Sequence, residues 1–201
     1  MDLAVIAVAF GAIFLVELPD KTFVAALVLA TRYRPAAVWI GVGLAFLVQT
    51  AIACTVGQAV TYLPQRVVES FAALIFLVGA VLLLREAPRA EVVEAETEEE
   101  YAAKASSPKS GLAAVGASFL VLFAAEWGDL SQLLTISLVG RYHDAWSVFV
   151  GAWGALLLVS GLAVVAGRFL LLHMRLSTIH YVGAAVCLLL AAVTAYQLLT
   201  G

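Results

Sequence analysis

Charge is what this chain has least of. Only 12% of its 201 residues are Asp, Glu, Lys or Arg, against 64% hydrophobic, and its mean hydropathy is +1.04. One soluble core of this length cannot bury so much apolar surface, so the composition excludes a soluble globular domain and predicts an integral membrane protein. Cysteine is nearly absent. Cys54 and Cys187 both lie in apolar runs, which excludes a disulfide framework and a thiolate metal motif. Histidine is as sparse: His143, His173 and His180 fall near predicted helix ends, where an interfacial role is the ordinary one, so a Zn2+ or Cu2+ site of the His/Cys kind is not expected. The amino terminus lacks basic residues. Asp2 stands where a secretory signal would carry them and no small-residue cleavage site follows, so the first apolar stretch is read as a retained span. With a formal net charge of −3, no nucleic-acid partner is expected.

What is present in abundance is long apolar runs. A bilayer core about 30 Å thick takes about 20 residues of helix, and six stretches qualify: 3–31, 36–60, 67–84, 111–139, 145–167 and 176–199. The separators are ordinary punctuation, among them "TRYRP", "YLPQR" and "GRYHD". One polar segment is long, residues 86–110, with seven glutamates from Glu86 to Glu100. Its composition predicts a solvated, flexible linker, partly helical, between a first unit at 1–85 and a second at 111–201.

Lysine and arginine divide unevenly between alternate loops. Arg32, Arg34, Arg85, Arg89, Lys104, Lys109, Arg168 and Arg175 fall on one side, Arg66 and Arg141 on the other. The positive-inside rule then puts the linker in the cytoplasm and both termini outside, which for a bacterial protein means the inner (cell) membrane.

The two units resemble each other. "ELPDKT" at Glu17 is echoed by "EWGDLS" at Glu126, and "ATRYRPA" at Ala30 by "VGRYHDA" at Val139, both at an offset of 109 residues. Each unit holds three predicted spans, and because three is odd the second enters the membrane from the opposite side. The expected fold is therefore all-α, six transmembrane helices arranged as two inverted-topology three-helix repeats, an architecture whose binding sites lie near the midplane.

Both acidic clusters fall at that depth. Glu17 is about midway between Asp2 and Arg32, and Glu126 about midway between Ser110 and Arg141. An ionised side chain at the bilayer centre costs on the order of 3 kcal/mol or more, so four carboxylates must share protons, cations or both inside a protein-lined cavity. Glu and Asp at i and i+3 project from one face of a helix, so facing pairs are expected. Pro19 removes the helical partner of the Leu15 carbonyl, which frees a potential ligand, and Gly128 permits a similar deviation in the second unit. Carboxylate, hydroxyl and carbonyl oxygens suit Ca2+, Mg2+ or Mn2+. Gln132 and Gln49 add neutral oxygens, either as ligands or as interhelical hydrogen-bonding groups. Crowded carboxylates titrate as a group, so cation entry should displace protons and the reverse.

The twin motifs resemble the E-x-G-D-[KR]-[ST] pair of the Ca2+/Mn2+:cation antiporter family, also filed as uncharacterised protein family 0016, and the resemblance runs the length of the chain. It implies exchange of a divalent cation, Mn2+ above all or Ca2+, for protons. By matching positions it implies Glu17, Asp20, Glu126 and Asp129 as ion-binding carboxylates, with Thr22 and Ser131 in support. Two positions depart from the pattern: Pro19 stands for the first glycine and Leu130 for the second basic residue. Lys21 is thereby left as the built-in countercharge that modulates the site. No resident cofactor is expected, since the cation is cargo. The competing readings are an exporter of a small organic cation or amino acid, an aspartic-protease dyad of Asp20 and Asp129, and a non-transporting scaffold. An enzyme is not expected, because the dyad leaves Glu17 and Glu126 without a role.

Overall fold

The computed structural model describes residues 1–18, 20–105, 109–173 and 176–200, without the side chains of 167, 168, 170–173, 176 and 200. Pro19, and with it the proposed freeing of the Leu15 carbonyl, lies outside the described residues, as do Arg175 and the side chains of Arg168 and His173.

Among the described residues there are nine α-helices and no strand: α1 Leu3–Glu17, α2 Lys21–Arg32, α3 Pro35–Val60, α4 Gln65–Glu86, α5 Ala90–Lys104, α6 Leu112–Ala125, α7 Leu130–Tyr142, α8 Ala145–His173 and α9 Leu176–Thr200. Helices α3, α4, α8 and α9 each contain a stretch long and apolar enough to cross a bilayer. The pairs α1–α2 and α6–α7 meet the same criterion only together, bent by 70° and 72°. Large apolar side chains stay exposed along these helices, including Trp39, Ile40 and Leu44 on α3 and Phe71, Leu74 and Leu77 on α4. In a soluble protein such a belt would be a liability, whereas lipid is its natural solvent. The protein is a multi-pass integral membrane protein.

The bends correct the sequence reading. Residues 3–31 and 111–139 are not single helices, and Glu and Asp do not share one helical face. Glu17 is the last residue of α1 and Glu126 follows α6, while Asp20 and Asp129 are the N-caps of α2 and α7. The turns match: the Asp20 amide donates to the Glu17 carbonyl at 3.0 Å, and the Asp129 amide to the Glu126 carbonyl at 3.4 Å. An Asp side chain caps the orphan amides of a new helix better than it sits inside an old one. In the second unit Gly128 takes φ +79°, a left-handed conformation that glycine adopts without steric cost.

Helix α1 packs on α8 and α6 on α3, while α3 meets α8 and α4 meets α9. The closest approaches are made at glycines. A Cβ on Gly41 of α3 would strike the Val115 carbonyl oxygen, Ser118 Cβ and Phe119 N of α6; one on Gly151 of α8 would strike the Ile6 carbonyl oxygen, Ala9 Cβ and Phe10 N of α1. Backbone strikes cannot be relieved by a rotamer change. Gly41→Val and Gly151→Val should each destabilise by about 1–3 kcal/mol, the usual cost of overpacking, and by similar amounts. Thermal unfolding in detergent checks this, and wild-type stability of either variant would refute the packing.

The acidic segment also departs from its reading. It is more helical than its composition suggests: α4 runs through a 3-10 turn, Ala87–Arg89, into α5. Ala90, Thr97 and Tyr101 lie on one stripe of α5 and are buried, the helix packing against α2 and α9. Glu91, Glu96, Glu98, Glu99 and Glu100 remain exposed, and Lys104 pairs with Glu100 at 2.6 Å one turn away. Helical spacing thus gives an acid-rich segment an apolar stripe that composition alone conceals.

Candidate cation site

The two helix breaks meet. Glu17, Asp20, Glu126 and Asp129 each present a carboxylate oxygen, and these four atoms lie within 4.8 Å of one another. Glu17 and Glu126 are buried, at 0% and 2% exposure; Asp20 and Asp129 are half-buried. The chain brings together all four carboxylates read from the repeat.

Their hydrogen bonds fix orientation while leaving oxygens over. Thr22 Oγ1 donates to Glu17 Oε1 at 2.7 Å, and the Lys21 amide donates to Asp20 Oδ1 at 2.7 Å. Asp129 Oδ1 accepts from Ser131 Oγ at 3.0 Å and from the Gln132 amide at 2.9 Å. Glu17 Oε2 and Asp129 Oδ2 are buried with no protein hydrogen bond. Buried carboxylate oxygens of that kind require a proton, a water or a cation. The donor set is all oxygen, which is what hard divalent cations take.

The compensation for so much negative charge comes partly from the backbone. Helices α2 and α7 begin at Asp20 and Asp129, so two helix N-termini, each with the equivalent of about half a positive charge, end at the cluster. Lys21 is exposed, and among the described residues no ion pair joins it to Glu17. The buried Glu17–Lys21 pair that i, i+4 spacing allows is not formed.

The remaining site residues fall into place unevenly. Gln132 accepts a hydrogen bond from the Gly128 amide on its side-chain oxygen at 3.0 Å, beside the break. Gln49 donates from Nε2 to the Phe123 carbonyl at 2.8 Å, satisfying an acceptor in the last turn of α6.

A cavity of about 250 Å³ opens onto the cluster, walled in part by Asp20, Lys21, Thr22, Glu126, Asp129 and Leu130. Glu86, Tyr101 and His180 complete its polar lining, and sequence reasoning missed all three. Glu86 was one acid among seven, and His180 looked interfacial. Tyr101, 5% exposed, did carry a signal as the lone aromatic in a glutamate-rich run. Beside this cavity, on α5, half-buried Glu94 is held above its ordinary value by burial and by Glu98 and Glu91.

Known proteins resemble this chain over most of its length. The family model described as "Divalent cation/proton antiporter GDT1" matches residues 5–91 and 114–201. A GDT1-like protein of Synechocystis is 33% identical over 89% of the chain and 90% of its own length. A Vibrio cholerae protein named "Putative manganese exporter" is 31% identical over 96% and 92%, and the divalent cation/proton antiporter GDT1 of Saccharomyces cerevisiae is 29% identical over 92% and 80%. Chloroplast relatives are longer, and the chain spans 57% of the Arabidopsis PAM71-homolog. No solved structure matches the chain. The extent of the family match, together with the full-length bacterial relatives, establishes that the chain belongs to the GDT1 divalent cation/proton antiporter family.

Proposed function

We propose that this protein exports Mn2+ from the cytoplasm in exchange for protons, and that Glu17, Asp20, Glu126 and Asp129 hold the two kinds of ion in turn. The observation that carries the reading is the meeting of four carboxylates from two separate helix breaks. Thr22 and Ser131 hold carboxylates in place, Lys21 and the helix N-termini moderate their charge, and the leftover oxygens on Glu17 and Asp129 receive the ion. The family consists of transporters and not enzymes, so a protease dyad is set aside. Mn2+ is preferred to Ca2+ on the name of the Vibrio relative; Ca2+/H+ exchange is the alternative.

The architecture proposed with it is six spans in two inverted repeats, 1–85 and 111–201, joined by residues 86–110. Several features support it. Exchanging the halves turns the α1–α8 contact into α6–α3 and the α2–α8 contact into α7–α3, all four of which occur. The atoms that crowd Gly41 belong to Val115, Ser118 and Phe119, and those that crowd Gly151 to Ile6, Ala9 and Phe10, the same offset of 109 that relates the motifs. The family model also covers the chain in two stretches of similar length. Alternating access would then be a rocking of one half against the other about a fixed site.

Orientation rests on the lysine and arginine asymmetry. Ala95 is exposed on α5. A cysteine there, in a background lacking Cys54 and Cys187, should react with an impermeant thiol reagent only once the cytoplasmic face is opened. Labelling from outside intact cells would reverse the orientation and the direction of export.

The transport reading is tested in proteoliposomes holding the purified protein. A proton gradient imposed across the vesicle should drive Mn2+ the opposite way, and dissipating the gradient should stop it. Mn2+ flux that ignores the proton gradient would contradict exchange.

A further inference from the structure

Two groups outside the twin motifs stand where a cation would enter. Glu86 is the last residue of α4 and His180 lies in the second turn of α9. Both line the carboxylate cavity, and both line a second, smaller recess of about 20 Å³ closed on one side by Glu94 and Thr97 of α5. The two cavities share four residues: Asp20, Lys21, Glu86 and His180. These form the neck between the inner cluster and the recess, which is large enough for about one water-sized occupant.

The geometry at the neck suits a shared ion. His180 Nε2 and Glu86 Oε2 are 3.9 Å apart, beyond a hydrogen bond. Two ligands on one ion with bonds of about 2.1 Å can stand no more than about 4.2 Å apart, and the observed distance is within that reach. The His180 side chain is 7% exposed and that of Glu86 51%, so one ligand is fixed in the wall while the other reaches water. The pair thus stands between the inner, all-oxygen site and the protein surface.

We propose that Glu86 and His180 form an outer station for the transported cation, and that its mixed nitrogen and oxygen donors favour Mn2+ over Ca2+. The proposal deepens the transport reading and rests on it. The inner four carboxylates offer only oxygen, which discriminates weakly among hard divalent cations. Imidazole nitrogen is a ligand for transition metals, whereas Ca2+ takes oxygen. Selection would therefore happen at the neck, before the cation reaches the buried Glu17 and Glu126. Lys21 beside the station opposes a cation, and the Glu86 and Glu94 carboxylates oppose Lys21.

Two measurements on the full-length protein test this. In proteoliposomes, His180→Gln should lower the preference for Mn2+ over Ca2+ by roughly tenfold, a ligand-type effect, and Glu86→Gln, at an exposed position where folding is not at stake, should raise the half-saturating Mn2+ concentration. In Glu17→Gln protein, where the inner site is impaired, bound Mn2+ should show nitrogen hyperfine coupling in pulsed electron paramagnetic resonance, lost on adding His180→Gln. If wild-type protein exchanges Mn2+ for protons but His180→Gln keeps the wild-type preference, or if no nitrogen coupling is seen, the station is refuted and the pair is an ordinary structural contact. If wild-type protein exchanges neither cation for protons, the transport reading fails instead, and the nitrogen coupling still reports on the station.

Discussion

Glu17→Gln and Glu126→Gln should each reduce Mn2+/H+ exchange to background while leaving a folded, membrane-inserted protein. The two residues close the matching helix breaks, are buried, and contribute one oxygen each to a cluster spanning at most 4.8 Å. Neutralising either removes a charge from the ion's surroundings and a proton carrier from the cycle. The loss should exceed the roughly 100-fold that removing even an outer-shell partner of a metal site can cost. Stability should move the other way or not at all. Glutamine keeps an oxygen for the Thr22 hydroxyl, which in the parent bonds Glu17 Oε1 at 2.7 Å, and it relieves repulsion among charges held in low dielectric. Transport assays and thermal unfolding of the same preparations separate the two effects. Near-normal exchange by either variant would mean that the repeat is scaffolding and the site lies elsewhere.

Leu130→Lys should have the next largest effect. Leu130 opens α7, is half-buried and faces the cavity, its methyl groups reaching Gly79 of α4. A lysine there restores the basic residue that the resembling motif carries and places a second ammonium beside four carboxylates. At an effective dielectric near 20, a unit charge about 6 Å away is worth on the order of 3 kcal/mol, so Mn2+ affinity should fall by roughly tenfold or more. The ammonium also competes with protons for the same oxygens, so the acid side of the Mn2+ binding profile should move to lower pH. Unchanged affinity and profile would mean that the new side chain turns away from the carboxylates.

Much of this site could be read from the residues alone. Four acids in apolar stretches of a chain with so little charge were expected to meet, the offset of 109 that relates "ELPDKT" to "EWGDLS" picked them out, and they do come together. The breaks were legible only as local deviations at Pro19 and Gly128; that they bend the chain by 70° and 72° was not, because apolar content through 3–31 and 111–139 is continuous and a capping Asp reads like any other acid until the turn is seen. For the same reason the helix N-termini that moderate the cluster went unseen, since their charge belongs to backbone amides and not to any side chain. The docking of α5 was hidden by its glutamates, which mask the buried stripe of Ala90, Thr97 and Tyr101. Glu86 and His180 were invisible as partners because only the packing of α4 on α9 brings them together.

In the proposed cycle one cluster of carboxylates holds protons and a divalent cation by turns. The most direct test is to add Mn2+ to the purified protein in weakly buffered detergent and follow the release of protons with a pH indicator. Binding should release protons in fixed proportion to Mn2+ bound, and that release should vanish in Glu17→Gln and Glu126→Gln. Saturable Mn2+ binding that releases no protons, or proton release that survives in both variants, would contradict the account.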